Sequence, residues 1–250
     1  MRSSRPGVFI PKRDPSGIVK PPPDVSRCAA VELTSSYEST VPARLLARYD
    51  WRETRNAAAV FASTNRPAFD EFIQVLRTFD IEATDITDRG RNESAIPKRL
   101  NDAFRKKGWR EGTHSTVIES VLRLEPYTEA GEDTPVERRK VIVNAGGYKI
   151  DNVKDRVVLD VEWHAKDGNL YRDVSTYRSL YDAGVIDLGV VLTRSFAAIR
   201  ALSIRLGRER GFATTTTTNL EKLEPQLLRG DGGGCPILAV AITDRCYVPR

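Results

Sequence analysis

This sequence is short of the residues that thiol and soft-metal chemistry require. It contains two histidines and three cysteines, and Cys28, Cys235 and Cys246 stand in no CxxC spacing. Three thiols cannot all pair, so neither a disulfide scaffold nor a thiolate metal cluster is expected, and a reduced cytoplasmic compartment fits best. No run of about 18 apolar residues is present to span a bilayer. The opening stretch MRSSRPGVFIPKRDP also lacks the apolar core of a secretory signal. Neither GxxxxGK[ST] nor GxGxxG occurs, which argues against an NTP-driven or dinucleotide enzyme and predicts no nucleotide cofactor.

Charge is abundant and tilted to one sign. Lys and Arg number 39 against 34 Asp and Glu, a net charge of +5 that favours a polyanionic partner, because clustered cations release counterions from phosphates. A chain of 250 residues can bury one sizeable core, or a core with a small accessory part.

Residues 1–40 read as a Pro-rich basic arm, with Pro21, Pro22 and Pro23 in succession. Residues 41–92 read as mainly helical, since Phe69, Phe72, Ile73 and Leu76 recur at helical spacing, with a connection at STNRP. The core is assigned to residues 93–250. It opens with a basic amphipathic helix that places Ile96, Leu100, Ala103 and Phe104 on one stripe and ends near Gly108. The stretch STVIESVLRLEPY fits strand or helix. Strands are predicted at Arg139–Val143 and Val157–Trp163, followed by a helix from about Asp173 to Ala183. The nearly continuous apolar run GVIDLGVVLTR predicts an interior strand, and Pro236–Thr243 a last buried one. The fold class is therefore α/β, a mixed central β-sheet flanked by helices.

The strand VVLDVEW carries Asp160 and Glu162 at alternate positions, so both carboxylates project from one face while Val161 and Trp163 take the other. Like charges so close need a cation or proton between them. Asp151 lies nine residues before Asp160, where a hairpin would bring it beside the pair. Three hard oxygen ligands suit Mg2+, with Mn2+ as a substitute, far better than Zn2+. The alternative is an edge strand whose acids simply face water. Lys154, Lys166 and Arg172 surround the acids, either to hold a phosphodiester or as ordinary salt-bridge partners. His164 could serve as a base or pack beside Trp163, and His114 has no nucleophile near it in sequence, so no catalytic triad is supported.

Asp151 and the Asp160-Val-Glu162 triplet resemble the PD-(D/E)xK nuclease motif, with Glu162 in the usual lysine place. VVLDVEWHAKDG, then YRDVSTYRSLYDAGVIDLGVVLTR and the late TTTTTNLEKLEPQLLRGDGGGCPILAVAIT, resemble the BglII-type restriction endonucleases over about residues 95–245. The resemblance implies a type II restriction endonuclease of a prokaryotic cytoplasm, a homodimer that clamps palindromic double-stranded DNA and cuts it with Mg2+. It implies that Asp151 and Asp160 bind the metal and that Glu162 positions or polarises the attacking water, with Glu119 as a further candidate for the metal shell. Aspartate at 160 departs from the more frequent glutamate, and Glu162 from the glutamine of the closest relatives, which leaves the number of metal ions open. With the resemblance included, Thr216, Thr217, Asn219 and Lys222 are expected to touch DNA, although the same residues fit a Thr-rich strand or a helix cap. An inactive DNA-binding protein on this fold and a structure-specific repair nuclease are the alternatives.

Overall fold

The computed structural model describes residues 32–87, 95–124, 136–166, 168–208 and 216–249, with the side chains at 136–138 and 145 set aside. Most of the N-terminal arm, the TEAGEDTP loop and Thr214 and Thr215 lie outside these residues.

In chain order the elements are α1 (Tyr37–Thr40), α2 (Ala43–Leu46), β1 (Tyr49–Thr54), α3 (Ala57–Thr64), α4 (Arg66–Thr78), α5 (Ala83–Thr87), α6 (Ala95–Lys106), β2 (Arg110–Leu124), β3 (Val136–Lys154), β4 (Val157–Val161), α7 (Gly168–Asp182), β5 (Leu188–Arg194), α8 (Phe196–Arg205), α9 (Leu220–Arg229) and β6 (Ile237–Ile242). Six strands form one sheet in the order β1-β6-β5-β4-β3-β2. β4, β5 and β6 run parallel, while β1, β3 and β2 are attached antiparallel. This is the mixed α/β sheet expected from the sequence.

Both faces of the parallel strands are covered. Leu159, Val161, Trp163, Val190, Leu192 and Val240 point into one core, packed with side chains from α3, α4, α6 and α8. Val158, Val191, Ala239 and Ala241 point into the other, against Leu170, Val174 and Tyr177 of α7 and Leu223 and Leu227 of α9. Every residue of β5 and β6 is buried, which is why these strands read as unbroken apolar runs.

Four features differ from the sequence expectation, and one reading left open is settled. Tyr49–Thr54, within the stretch read as helical, is a strand: Tyr49, Trp51 and Glu53 point inward at period two, and β1 closes the sheet beside β6. The ambiguous STVIESVLRLEPY is strand through Leu124. β3 is far longer than Arg139–Val143, running to Lys154 through Gly147, whose φ of 101° is open to glycine without strain. The helix expected from Asp173 begins at Gly168, and β4 ends at Val161 rather than Trp163.

Away from the core, β2 and β3 form a two-stranded ribbon on which Val117, Ile118, Leu122, Ile142 and Val143 are exposed. Gly189 does the opposite work at the centre of the sheet. A Cβ there would lie 2.2 Å from the Tyr177 ring, so glycine lets α7 press that ring flat onto β5. Gly189→Ala is expected to cost about 1–3 kcal/mol through overpacking. Thermal denaturation checks this, and an unchanged midpoint would mean that the ring is not held there.

Candidate functional site

The parallel strands end together, and the chemistry-bearing residues collect at those C-terminal ends, the usual location of sites in open α/β sheets. β3 and β4 are joined by a two-residue reversal, Asp155-Arg156, and pair only from Lys154↔Val157 to Asn152↔Leu159. Beyond Leu159 the strands fork, and side chains replace the ladder. The Asp151 amide donates to Asp160 Oδ1 at 2.9 Å, and the Val161 amide donates to Asp151 Oδ2 at 3.0 Å. The hairpin expected to bring Asp151 beside the pair is present. β4 itself is an interior strand, so its acids do not face water as edge residues would.

Asp160 and Glu162 share the face that packs on α7, while Val161 and Trp163 enter the opposite core. Both acids are buried, at 5% and 6% exposure. Tyr177 donates its hydroxyl to Asp160 Oδ2 at 2.7 Å and lies 3.0 Å from the Val190 carbonyl. Glu162 meets Asp173 of α7, a fourth carboxylate at 3% exposure. Asp173 accepts from Arg172 on Oδ1 at 3.1 Å. Glu162 Oε2 and Asp173 Oδ2 are buried with no hydrogen-bond partner.

These surroundings favour the protonated forms of the acids. Burial, reinforced by the charge of Asp173, pushes Asp160 up to about 7. Burial and the Asp173 carboxylate raise Glu162, and burial raises Asp173 against the pull of Arg172. Asp151 is raised by burial and restrained by the Val161 amide and Asn101. A cluster of hard oxygens, each raised by burial or by its neighbours, with two bare buried oxygens, fits a hydrated divalent cation. Among the described residues, no three His, Cys, Asp or Glu side chains form a ready ligand set. The acids sit as two pairs, Asp151 with Asp160 and Glu162 with Asp173. The expectation that Asp151, Asp160 and Glu162 share one ion is taken up again as a proposal below.

Other candidates are placed elsewhere. Glu119 is on β2, opposite Ile142 and paired with Lys140 at 2.6 Å. Nine residues of β3 separate Ile142 from Asp151, about 30 Å at ~3.3 Å per residue, so Glu119 does not join the site. Lys154 points away from the acids: its Nζ donates to Glu71 at 2.5 and 2.7 Å and to the Lys107 carbonyl at 2.8 Å. It is a strut from β3 to α4 and the end of α6. Lys154→Met is expected to lose about 1 kcal/mol of stability, given its partial exposure, and to leave DNA affinity unchanged. Weaker DNA binding at unchanged stability would restore the phosphate role.

Asn219 is buried and spent as the cap of α9, accepting from the Lys222 amide at 3.0 Å and donating to the Thr217 carbonyl at 3.0 Å. The cap reading holds for it. Lys222 lies in the first turn of that helix. Thr216 is exposed, and Lys166 is exposed beside it in the fold, bridged through the backbone to Thr217. The Thr218 amide donates to the Ala165 carbonyl at 3.0 Å. Lys166, Thr216 and Arg172 thus remain on the accessible rim, and the threonine segment is joined to the loop that follows β4.

Sequence reasoning passed over three residues. Asp173 and Tyr177, one turn apart on α7, supply the fourth carboxylate and the donor to Asp160. Arg194, at the end of β5, is buried to 1% exposure, with burial lowering it to about 10. It donates to Thr217 Oγ1 and to the Thr218 carbonyl, and its guanidinium lies 5.8 Å from the centre of the Trp163 ring. The signal for α7 was the pair of polar residues, Asp173 and Tyr177, at i and i+4 on a face otherwise made of Leu170, Val174 and Leu180.

No helix among the described residues is long and apolar enough to cross a membrane. A family model described as "Restriction endonuclease BglII/BglIII" matches residues 49–242. No curated protein matches the chain.

Proposed function

The chain belongs to the BglII/BglIII restriction endonuclease family, and from that premise we propose that it is a type II enzyme cutting a palindromic site in double-stranded DNA with Mg2+. The observation that carries the reading is the buried carboxylate cluster at the fork of β3 and β4, inside the matched residues. Asp151 and Asp160 would hold the metal ion, which when bound neutralises phosphate charge and lowers the pKa of a coordinated water. The chain's own residues do the positioning. Two backbone amides and Tyr177 fix the Asp151 and Asp160 carboxylates before substrate arrives, so little reorganisation is needed at reaction. Ionised Glu162 would accept the proton of the attacking water as the water oxygen bonds to phosphorus and the P–O bond to the leaving group breaks, the leaving oxygen taking its proton from solvent, and burial makes that carboxylate a stronger base than a solvated one. Lys166, Arg172 and Thr216 on the rim make phosphate contacts, which set position and give salt-dependent affinity.

A palindrome calls for two copies related by a two-fold axis. The exposed apolar ribbon of β2 and β3 supports a homodimer, because a lone two-stranded ribbon with an open edge is unstable unless covered. Sedimentation at micromolar concentration tests this, and a monomer with and without DNA would count against it.

Incubating the purified chain with Mg2+ and plasmid DNA of diverse sequence should give discrete fragments with uniform ends, and sequencing those ends gives the site. Uncut DNA beside an active control nuclease would sink the proposal, and random or junction-only cutting would replace site specificity by another nuclease activity.

A further inference from the structure

We infer that the base of the β2 and β3 ribbon grips the phosphate backbone of duplex DNA outside the cut site, on the face built from Thr113, Ser115, Asn144, Gly146 and Lys149. The inference rests on the nuclease reading above and extends its DNA contacts to a second surface.

The ribbon is placed for this. β3 runs antiparallel to β4, so the residues before Asp151 continue past the C-terminal ends of the parallel strands, where the acids lie. Gly146 is five residues from Asp151, at most about 17 Å at ~3.3 Å per residue. That distance spans about five steps of a DNA strand at ~3.4 Å each. A duplex seated at the carboxylates thus has its flank within reach of the ribbon.

Chemistry changes along the ribbon. Its outer half exposes Val117, Ile118, Leu122, Ile142 and Val143, the part assigned above to a second copy. On one face of its base, Thr113 stands opposite Lys149 and Ser115 opposite Gly146, with Asn144 two residues further on the same side of β3. All five are exposed. Lys149 meets Glu111 at 3.7 Å, an exposed pair of the kind that contributes little and leaves the ammonium open to a phosphate.

Two neighbouring glycines differ in what the fold asks of them. Gly147 is the extra residue of a bulge, since the register steps from His114↔Tyr148 to Ser115↔Gly146, and its φ of 101° favours glycine. Gly146 has no such need. Its φ lies outside the left-handed region, and among the described residues nothing lies within 4 Å of where its Cβ would stand. Glycine in a strand gives up chain entropy and side-chain packing, so one that the fold does not require marks close approach by another molecule. Hydroxyl, amide and ammonium groups around a bare stretch of backbone are the contacts a DNA phosphate takes, and they set position without reading bases.

The test measures binding of the full chain to a random-sequence duplex of about 40 base pairs, in EDTA so that nothing is cut, by fluorescence anisotropy at several salt concentrations. Gly146→Val is expected to keep or raise the thermal midpoint, because valine suits an open strand position, and to weaken binding about 10-fold through its bulk. Lys149→Ala is expected to reduce the slope of log affinity against log salt by about one. Binding by Gly146→Val equal to that of the wild type overturns the ribbon contact and leaves the nuclease reading intact. If that variant loses stability, Lys149→Ala decides, and an unchanged slope overturns the contact. A wild type that binds no duplex at low salt overturns both.

Discussion

Asp160→Asn is expected to lower DNA cleavage on the order of 10³-fold while raising the thermal midpoint of the metal-free protein at pH 8. On the reaction proposed above, the rate loss follows from removing a charge that would hold the metal ion at the reacting phosphate, where a single preorganised electrostatic group is worth about that much. The gain has a separate origin. Burial and Asp173 push the Asp160 carboxyl from 3.8 up to about 7, so at pH 8 the folded chain holds an anion it would rather keep protonated. At about 1.4 kcal/mol per pH unit, that tension amounts to roughly 4 kcal/mol. Asparagine keeps an acceptor for the Asp151 amide and carries no charge, and Tyr177 retains the Val190 carbonyl as an acceptor. Recovering half of the tension would raise the midpoint by about 4–8 °C for a domain of this size. Differential scanning calorimetry with a chelator, paired with plasmid digestion, reads both effects. A variant that is less stable than wild type at pH 8 would show that Asp160 is held as a comfortable anion.

Metal and pH should act on stability together. The four acids are raised in the folded chain, so between about pH 4 and pH 7 the folded state binds more protons than the unfolded state. Stability contributed by these groups is therefore full below pH 4 and falls as pH climbs through about 7 for Asp160 and about 9 for Glu162. Metal binds the deprotonated forms, so its affinity rises over the same range. At pH 5.5, Mn2+ is expected to shift the midpoint little. At pH 8.5, a concentration 100-fold above the dissociation constant should stabilise by about 2.7 kcal/mol, or roughly 5–10 °C. A Mn2+ shift that is equal at the two pH values would mean that ions bind elsewhere.

The parts of the fold that were legible were those written in local pattern. β5 and β6 announce themselves because both of their faces are covered, leaving no polar position in the middle of either run. Asp160 and Glu162 were visible because two acids at period two break such a run on one face only. What the sequence hid was tertiary. The partner of Lys154 is Glu71, 83 residues away, so a strut looked like a phosphate contact. Asp173 meets Glu162 only after α7 has docked on the sheet, and next to Arg172 in sequence it reads as half of a surface ion pair. β1 escaped because six residues between helices carry little periodic signal, and two of the inward positions, Tyr49 and Trp51, also suit a helix. Asn219 misled for another reason: a side chain able to read a base is equally able to cap a helix, and burial decided between them.

The two-residue reversal at Asp155-Arg156 makes the active centre intolerant of length rather than of sequence. Asp155 adopts φ 50°, a left-handed conformation that aspartate, asparagine or glycine can all supply, so several residue types would serve there. Adding or removing one residue is another matter. It would slide β3 against β4 by a single position and turn Asp151 to the far side of the sheet, while Asp160 and Glu162 stayed where they are. The length of this short loop is thus what keeps Asp151 opposite Asp160, and related chains should vary its composition freely while keeping its count.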